Sequence, residues 1–231
     1  MSQIQLLSIQ VGMPQVFTSP NVTGAGPAAW TTAFLKQPVS GPVWMGKTNI
    51  EGDQAGAKTH GGPDKVVCVY PKEHFSYWQR ELDLPELGYG AFAENFTIQG
   101  QLEDQACIGD IIRIGEVDIQ ITQPRPPCWR LARWWQRKEF ATQMEENGRT
   151  GWYCRVIKEG YTEAGTGMVL LDRPYPEWTI SAANHLLYGS KGGFDQMEAL
   201  AACPLLSDQW RDLLLARKAK LIKQNDEKEE H

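Results

Sequence analysis

Apolar residues at Ile4, Leu6, Ile9 and Val11 predict a first strand ahead of Gly12. From Met13 to Pro42, prolines, glycines, serines and threonines break up every apolar run, which predicts extended chain with turns. Val43 to Ile50 predicts a second strand, and the β-branched run Val66 to Tyr70 a third. Pro71 then marks a helix start, and Phe75, Trp78 and Leu82 follow at spacings of three and four, forming one apolar stripe. A strand is predicted over Ala91 to Ile98. In Asp110 to Thr122, Ile112 and Ile114 alternate on one arm and Val117, Ile119 and Ile121 on the other, which predicts a hairpin turning near Gly115-Glu116. Leu131 to Met144 reads as a helix, and Trp152 to Ile157 and Met168 to Leu171 as strands.

After Pro174 and Pro176 the period changes. Thr179 to Tyr188, Phe194 to Cys203 and Ser207 to Lys223 all carry helical spacing, separated by Gly189 to Gly193 and by Pro204. This places a boundary near residue 175, with a first domain over 1–175 and a helical domain over 176–231 that ends in a charged, frayed tail from Gln224. The fold class is mainly β with inserted helices, followed by a C-terminal three-helix appendix. A closed or nearly closed barrel is favoured, because so many short strands would otherwise leave edges unprotected. Helices of the appendix must bury stripes that include Trp210, Leu213 and Leu214 on the barrel or on a partner. No catalytic constellation falls there, so docking, or a homodimer, is its expected role.

The chain has 231 residues, 42% of them hydrophobic, and a formal net charge of -5. That balance gives no global attraction for nucleic acid or an anionic membrane, and only a local basic patch would hold an anion. No apolar run approaches the roughly 18 residues of a membrane span, so a cytoplasmic protein is expected. The five cysteines (68, 107, 128, 154 and 203) include no CxxC pair, which supports neither a disulfide framework nor a structural zinc site. Four of them read as core; Cys128 does not.

Cys128 follows Gln123-Pro-Arg-Pro-Pro127, precedes Trp129-Arg130 and stands at a helix start. Helix dipole and guanidinium groups both favour a thiolate there, suited to a nucleophile or a metal ligand; the plain alternative is a small apolar plug. A second constellation is His60-Gly-Gly-Pro-Asp-Lys65, where glycines allow close backbone approach and His60 and Lys65 bring positive charge. It reads either as a phosphate or carboxylate site or as an ordinary turn. Glu94-Asn95 needs hydrogen-bond partners if buried, and Arg155 follows Gly151-Trp-Tyr-Cys154 in a predicted strand. His74 and His185 read as structural.

Together, the His60 to Lys65 hexapeptide, Glu94-Asn95, Gly109-Asp110, Gln123 to Cys128 and Gly151-Trp-Tyr153 resemble the MOSC domain. Lys36-Gln-Pro-Val-Ser-Gly-Pro42, Glu51-Gly-Asp53, Cys68-Val-Tyr70 and His74 through Trp78 resemble, more narrowly, the bacterial YiiM family. Ala93 stands where many members have glycine. The resemblance implies a barrel that binds molybdenum cofactor (molybdopterin), with Cys128 as metal ligand and catalytic centre. Cofactor-binding residues would be His60, Gly61, Gly62, Lys65, Asn95, Arg125, Arg130 and Arg155. It further implies reductive detoxification of N-hydroxylated bases such as 6-hydroxylaminopurine, with electrons from a flavoprotein reductase. The rival is a sulfur carrier or cofactor-delivery module using a Cys128 persulfide, and a third option is a binding protein for another phosphorylated ligand.

Overall fold

A computed structural model describes residues 3–18, 20, 24, 28–56, 61–84, 86–189 and 193–229. Its strands are β1 (Ile4–Val11), β2 (Gln15–Thr18), β3 (Ala29–Thr32), β4 (Gln37–Pro38), β5 (Val43–Met45), β6 (Val67–Pro71), β7 (Phe96–Gln99), β8 (Ile111–Ile114), β9 (Val117–Pro124), β10 (Trp152–Lys158), β11 (Gly160–Thr162) and β12 (Gly167–Asp172). The helices are α1 (Phe75–Leu82), α2 (Trp129–Trp134), α3 (Phe140–Asn147), α4 (Ile180–Tyr188), α5 (Phe194–Ala201) and α6 (Asp208–Glu229). In the main sheet the order runs β12, β8, β9, β10, β6, β7, β1, and β1 returns to β12 through Ile4–Met168 and Gln5–Gly167. That return closes a seven-stranded barrel and removes the free edges. β6 and β7 are parallel; parallel neighbours need a crossover, which α1 supplies.

Alternation along the strands fills the barrel with Leu6, Ile112, Ile119, Val69 and Trp152. β9 is buried at every position, including its polar ones, because the helical segment covers its outer side. There Gln123 Oε1 accepts from Ser207 Oγ at 2.6 Å, and Thr122 O accepts from the Ser207 backbone N–H at 3.1 Å. Ile180, Leu200, Trp210 and Leu214 of α4 to α6 share one continuous core with the barrel. A second core lies under α1 to α3, where Tyr70, Trp78, Phe92 and Phe140 pack together. Trp78 Nε1 donates to the Tyr70 hydroxyl at 2.6 Å, and that hydroxyl donates to Arg149 O at 3.1 Å. Gly151 has φ of +66°, and a Cβ there would sit 2.3 Å from Val69 O, so only glycine lets β10 start this close to β6.

Several elements differ from the pattern reading. Val43 to Ile50 is a short strand followed by a turn, with Ile50 bridged back to Met45. The stretch before it holds the β2–β3 hairpin and β4. β7 begins only at Phe96, because Ala93 adopts φ of +58° and the preceding residues form turns. Pro71 ends β6, and a 3-10 turn over Lys72–His74 precedes α1. The helix expected over Leu131 to Met144 is two helices. Gln136 at φ of +53° closes α2, with Arg137 N–H donating to Ala132 O at 2.9 Å and Gln136 N–H to Arg133 O at 3.4 Å. The last helix extends beyond the expected Lys223, since α6 runs to Glu229 on a stretch free of glycine and proline. Among the described residues no helix is long and apolar enough to cross a membrane.

Candidate functional site: a cationic cavity at Cys128

Cys128 is the N-cap of α2, in an extended conformation that turns its sulfur back over the first helical turn. Its Sγ accepts from Arg130 N–H at 3.5 Å and lies 4.0 Å from Arg130 Nη1. The Arg130 guanidinium also stacks on Trp129, 4.6 Å from the ring centroid. None of the five cysteines forms a disulfide; Cys128 alone is half-buried, and the other four are buried.

A cavity of about 400 Å³ opens beside this thiol. Asp53 to Gly56, Gly61 and Gly62, the start of β6, the Arg125 to Leu131 segment and the first turn of α6 all contribute to its wall. Among the described residues its charged lining consists of Lys36, Lys65, Arg125 and Arg130 against one carboxylate, Asp53. A chain of net charge -5 has thus gathered cations at one place, as anion recognition requires.

Arg125 follows β9 and is held by its own N–H donating to Gly151 O at 3.1 Å. Its side chain is 6% exposed, and Nη1 has no hydrogen-bond partner among the described residues. Burial opposes the charge, but Cys68, Tyr153, Glu94 and Tyr70 around it outweigh that and raise its pKa, so it stays protonated. Tyr153, hydrogen-bonded to Arg125, has its phenol pushed up by burial. A buried cation with an orphaned donor on a cavity wall suits a bound anionic group.

Gly61, Gly62 and Lys65 also line the cavity. Gly62, at φ of +115°, leads into a 3-10 turn over Pro63–Lys65, and a Cβ on it would meet open space. The Lys65 ammonium donates to Gln209 Oε1 at 3.0 Å; burial lowers its pKa while Asp64 opposes that. His60 lies outside the described residues.

Asn95 is at the wall, but both its amide hydrogens are taken within the protein, by Gln10 O at 3.2 Å and Asp53 Oδ2 at 2.8 Å. Its Oδ1 accepts from Cys68 N–H at 3.1 Å. Asn95 therefore fixes Asp53, which also pairs with Lys36 and accepts from Gly12 N–H at 2.8 Å. Glu94 does not line the cavity: burial raises its pKa, while Gly90 N–H, Thr97 Oγ1 and Phe92 N–H donate to it. Arg155 is not brought to the cavity either. It pairs with Asp64 at 3.1 Å and donates to Leu205 O at 3.1 Å, joining the Lys65 turn to the helical domain. His74 is structural: Nε2 bonds Glu103 Oε2 at 2.8 Å, and Glu103 Oε1 accepts from Gly151 N–H at 2.8 Å.

Lys36, Asp53, Tyr153 and Gln209 line the site without having been singled out for it. Lys36, Asp53 and Tyr153 fall within the motifs that carry the family resemblance, a usable signal. Gln209 carries none; through it the first turn of α6 reaches the wall.

These features define a closed-barrel protein with a cationic cavity and one accessible thiol at its wall. Residues 56–169 match the MOSC domain, and residues 178–221 match the YiiM-like 3-alpha helix domain. YflK of Bacillus subtilis, described as uncharacterized, is 35% identical over 94% of this chain and 96% of its own. A crystal structure of YiiM from Geobacillus stearothermophilus has a TM-score of 0.77 and 34% identity, covering 93% of this chain and 99% of that one. A Gibberella moniliformis protein named reductase is 34% identical over 65% of this chain, which spans 27% of that protein. The chain belongs to the MOSC-domain family, in its YiiM-like group.

MOSC domains are associated with molybdenum cofactor, and the residues present fit it. The orphaned Arg125 donor and the surrounding cations suit a phosphorylated group. Among the described residues no three His, Cys, Asp or Glu side chains converge to hold a metal ion; of the two thiols at the wall, Cys68 is buried with its pKa raised by that burial, and Cys128 is the half-exposed soft ligand.

Proposed function

We propose that this protein is a molybdenum-cofactor-dependent reductase of N-hydroxylated bases such as 6-hydroxylaminopurine, with Cys128 as the metal ligand. The observation that carries the reading is the half-buried Cys128 thiol on a cavity whose charged wall, among the described residues, is four cations to one carboxylate. The relative named reductase supports the reaction class. Reduction of the N–O bond takes two electrons and two protons and yields an amine and water; the electrons come from a flavoprotein reductase. Bound cofactor supplies the oxygen-accepting redox centre. Lys65, Arg125 and Arg130 hold its phosphate and pterin, joined by His60 and by backbone donors around Gly61 and Gly62. Arg130 N–H and Nη1 steady the Cys128 sulfur. Asn95 acts through Asp53, keeping the Lys36 ammonium at the wall.

Metal analysis of protein purified from a cofactor-competent host tests this. Wild type should carry about one molybdenum per chain, and Cys128→Ser should lose both metal and hydroxylamine reduction while keeping its melting temperature, since a hydroxyl fills nearly the same volume but is a poor soft ligand. Full activity in Cys128→Ser overturns the assignment. A persistent Cys128 persulfide without molybdenum assigns the protein to sulfur transfer instead.

A further inference from the structure

Gln209 brings the helical domain into the cavity wall, and its placement is over-determined. Ser207 just before it donates its N–H to Thr122 O and its hydroxyl to Gln123 Oε1, while that hydroxyl accepts from Trp210 N–H at 3.2 Å. Trp210 just after it is wholly buried. The first turn of α6 is thereby fixed to β9, and Gln209 Oε1 meets Lys65 Nζ at 3.0 Å. The Lys65 turn is tied to the same domain a second time, through Asp64, Arg155 and Leu205 O.

We propose that Gln209 is a positioning residue of the anion site, a neutral strut that fixes the Lys65 ammonium at the cavity wall while leaving its charge available to a ligand. This rests on the reading of Lys65 as an anion-binding residue. An amide oxygen is suited to the task. It accepts the lysine proton and orients the side chain, but adds no negative charge to compete with or repel an incoming phosphate. A carboxylate in its place would also hold Lys65 but would oppose the anion, and an apolar side chain would remove the hydrogen bond by which α6 orients the ammonium. The helical domain thus takes part in ligand retention through one side chain.

Inorganic phosphate is the probe, titrated by calorimetry into the full chain produced in a host that makes no molybdenum cofactor. Gln209→Glu should weaken phosphate binding about tenfold and Gln209→Leu about threefold, both with unchanged melting temperature, since the residue is exposed. In a Lys65→Met background both substitutions should change affinity by less than about twofold. Wild-type affinity in Gln209→Glu, or an equal loss with and without Lys65, overturns the strut. If Lys65→Met itself binds phosphate as wild type does, the anion reading of Lys65 fails, and the strut with it.

Discussion

At Ala93 a methyl group occupies backbone that suits glycine. Its φ of +58° lies in the left-handed region, which costs an L-residue about 1–2 kcal/mol. The turn is worth that cost because it delivers Gly90 and Phe92 N–H to the buried Glu94 carboxyl and brings Asn95 to Asp53. Ala93→Gly should raise unfolding free energy by up to about 1 kcal/mol, glycine's extra unfolded-state freedom taking back part of the gain. Urea unfolding checks this, and no gain would mean that the turn already accommodates the methyl without strain. Cys128, Lys65 and Arg125 were legible in the sequence because their chemistry is local: a thiol after stiff prolines, a lysine after two glycines, a guanidinium beside both. Asn95 and Arg155 were legible as polar groups in apolar surroundings, but not in direction. Which partner claims a buried amide or guanidinium is decided by segments distant in sequence, Gln10 and Asp53 for one, Asp64 and Leu205 for the other.

Among the elements, the β8–β9 hairpin was plain from its period of two, and its register pairs Arg113 with Asp118. Arg113 Nε and Nη2 donate to the two carboxylate oxygens at 2.7 and 2.9 Å, and this bonding, partly opposed by desolvation, holds the Asp118 pKa below its ordinary 3.8. The unfolded chain therefore binds more protons than the native one in the acid range. The pair's contribution is complete above the ordinary carboxylate value and is lost as pH falls through the depressed native one. Asp118→Asn should lower the urea midpoint at pH 7 by the same small amount that it removes from the fall between about pH 5 and pH 2, small because the half-exposed arginine makes the pair weak. An unchanged acid limb would show that the hairpin holds without it. The break between α2 and α3 was not legible, because Gln136 is an ordinary helix former. Its left-handed turn follows from packing Leu131 and Phe140 into the second core.

For the whole molecule, barrel and helical domain share one hydrophobic core. Trp210 and Leu214 share a core with Leu6, Ile119 and Trp152, so α6 completes the barrel's packing. Trp210→Ala should cost about 3–5 kcal/mol, and calorimetry should record a single transition moving down as a unit. A second transition left in place would show that the helices unfold alone. The class of fold was legible from strand spacing and the change of period after Pro176, whereas ring closure was favoured only by the need to protect edges. Closure depends on Ile4 meeting Met168, a pairing that no local pattern encodes.

That pairing also sets a clock on synthesis. At roughly 5–20 residues per second, Met168 leaves the ribosome about 8 to 33 s after Ile4. The partners of β1 in β4 and β7 are synthesised much earlier, so over that interval β1 has Pro38 and Phe96 to pair with but nothing yet for Ile4. A reading frame cut short before Gly167 lacks β12 and leaves β1 and β8 as raw edges, so truncated products of this gene are aggregation-prone material for proteases rather than smaller working barrels.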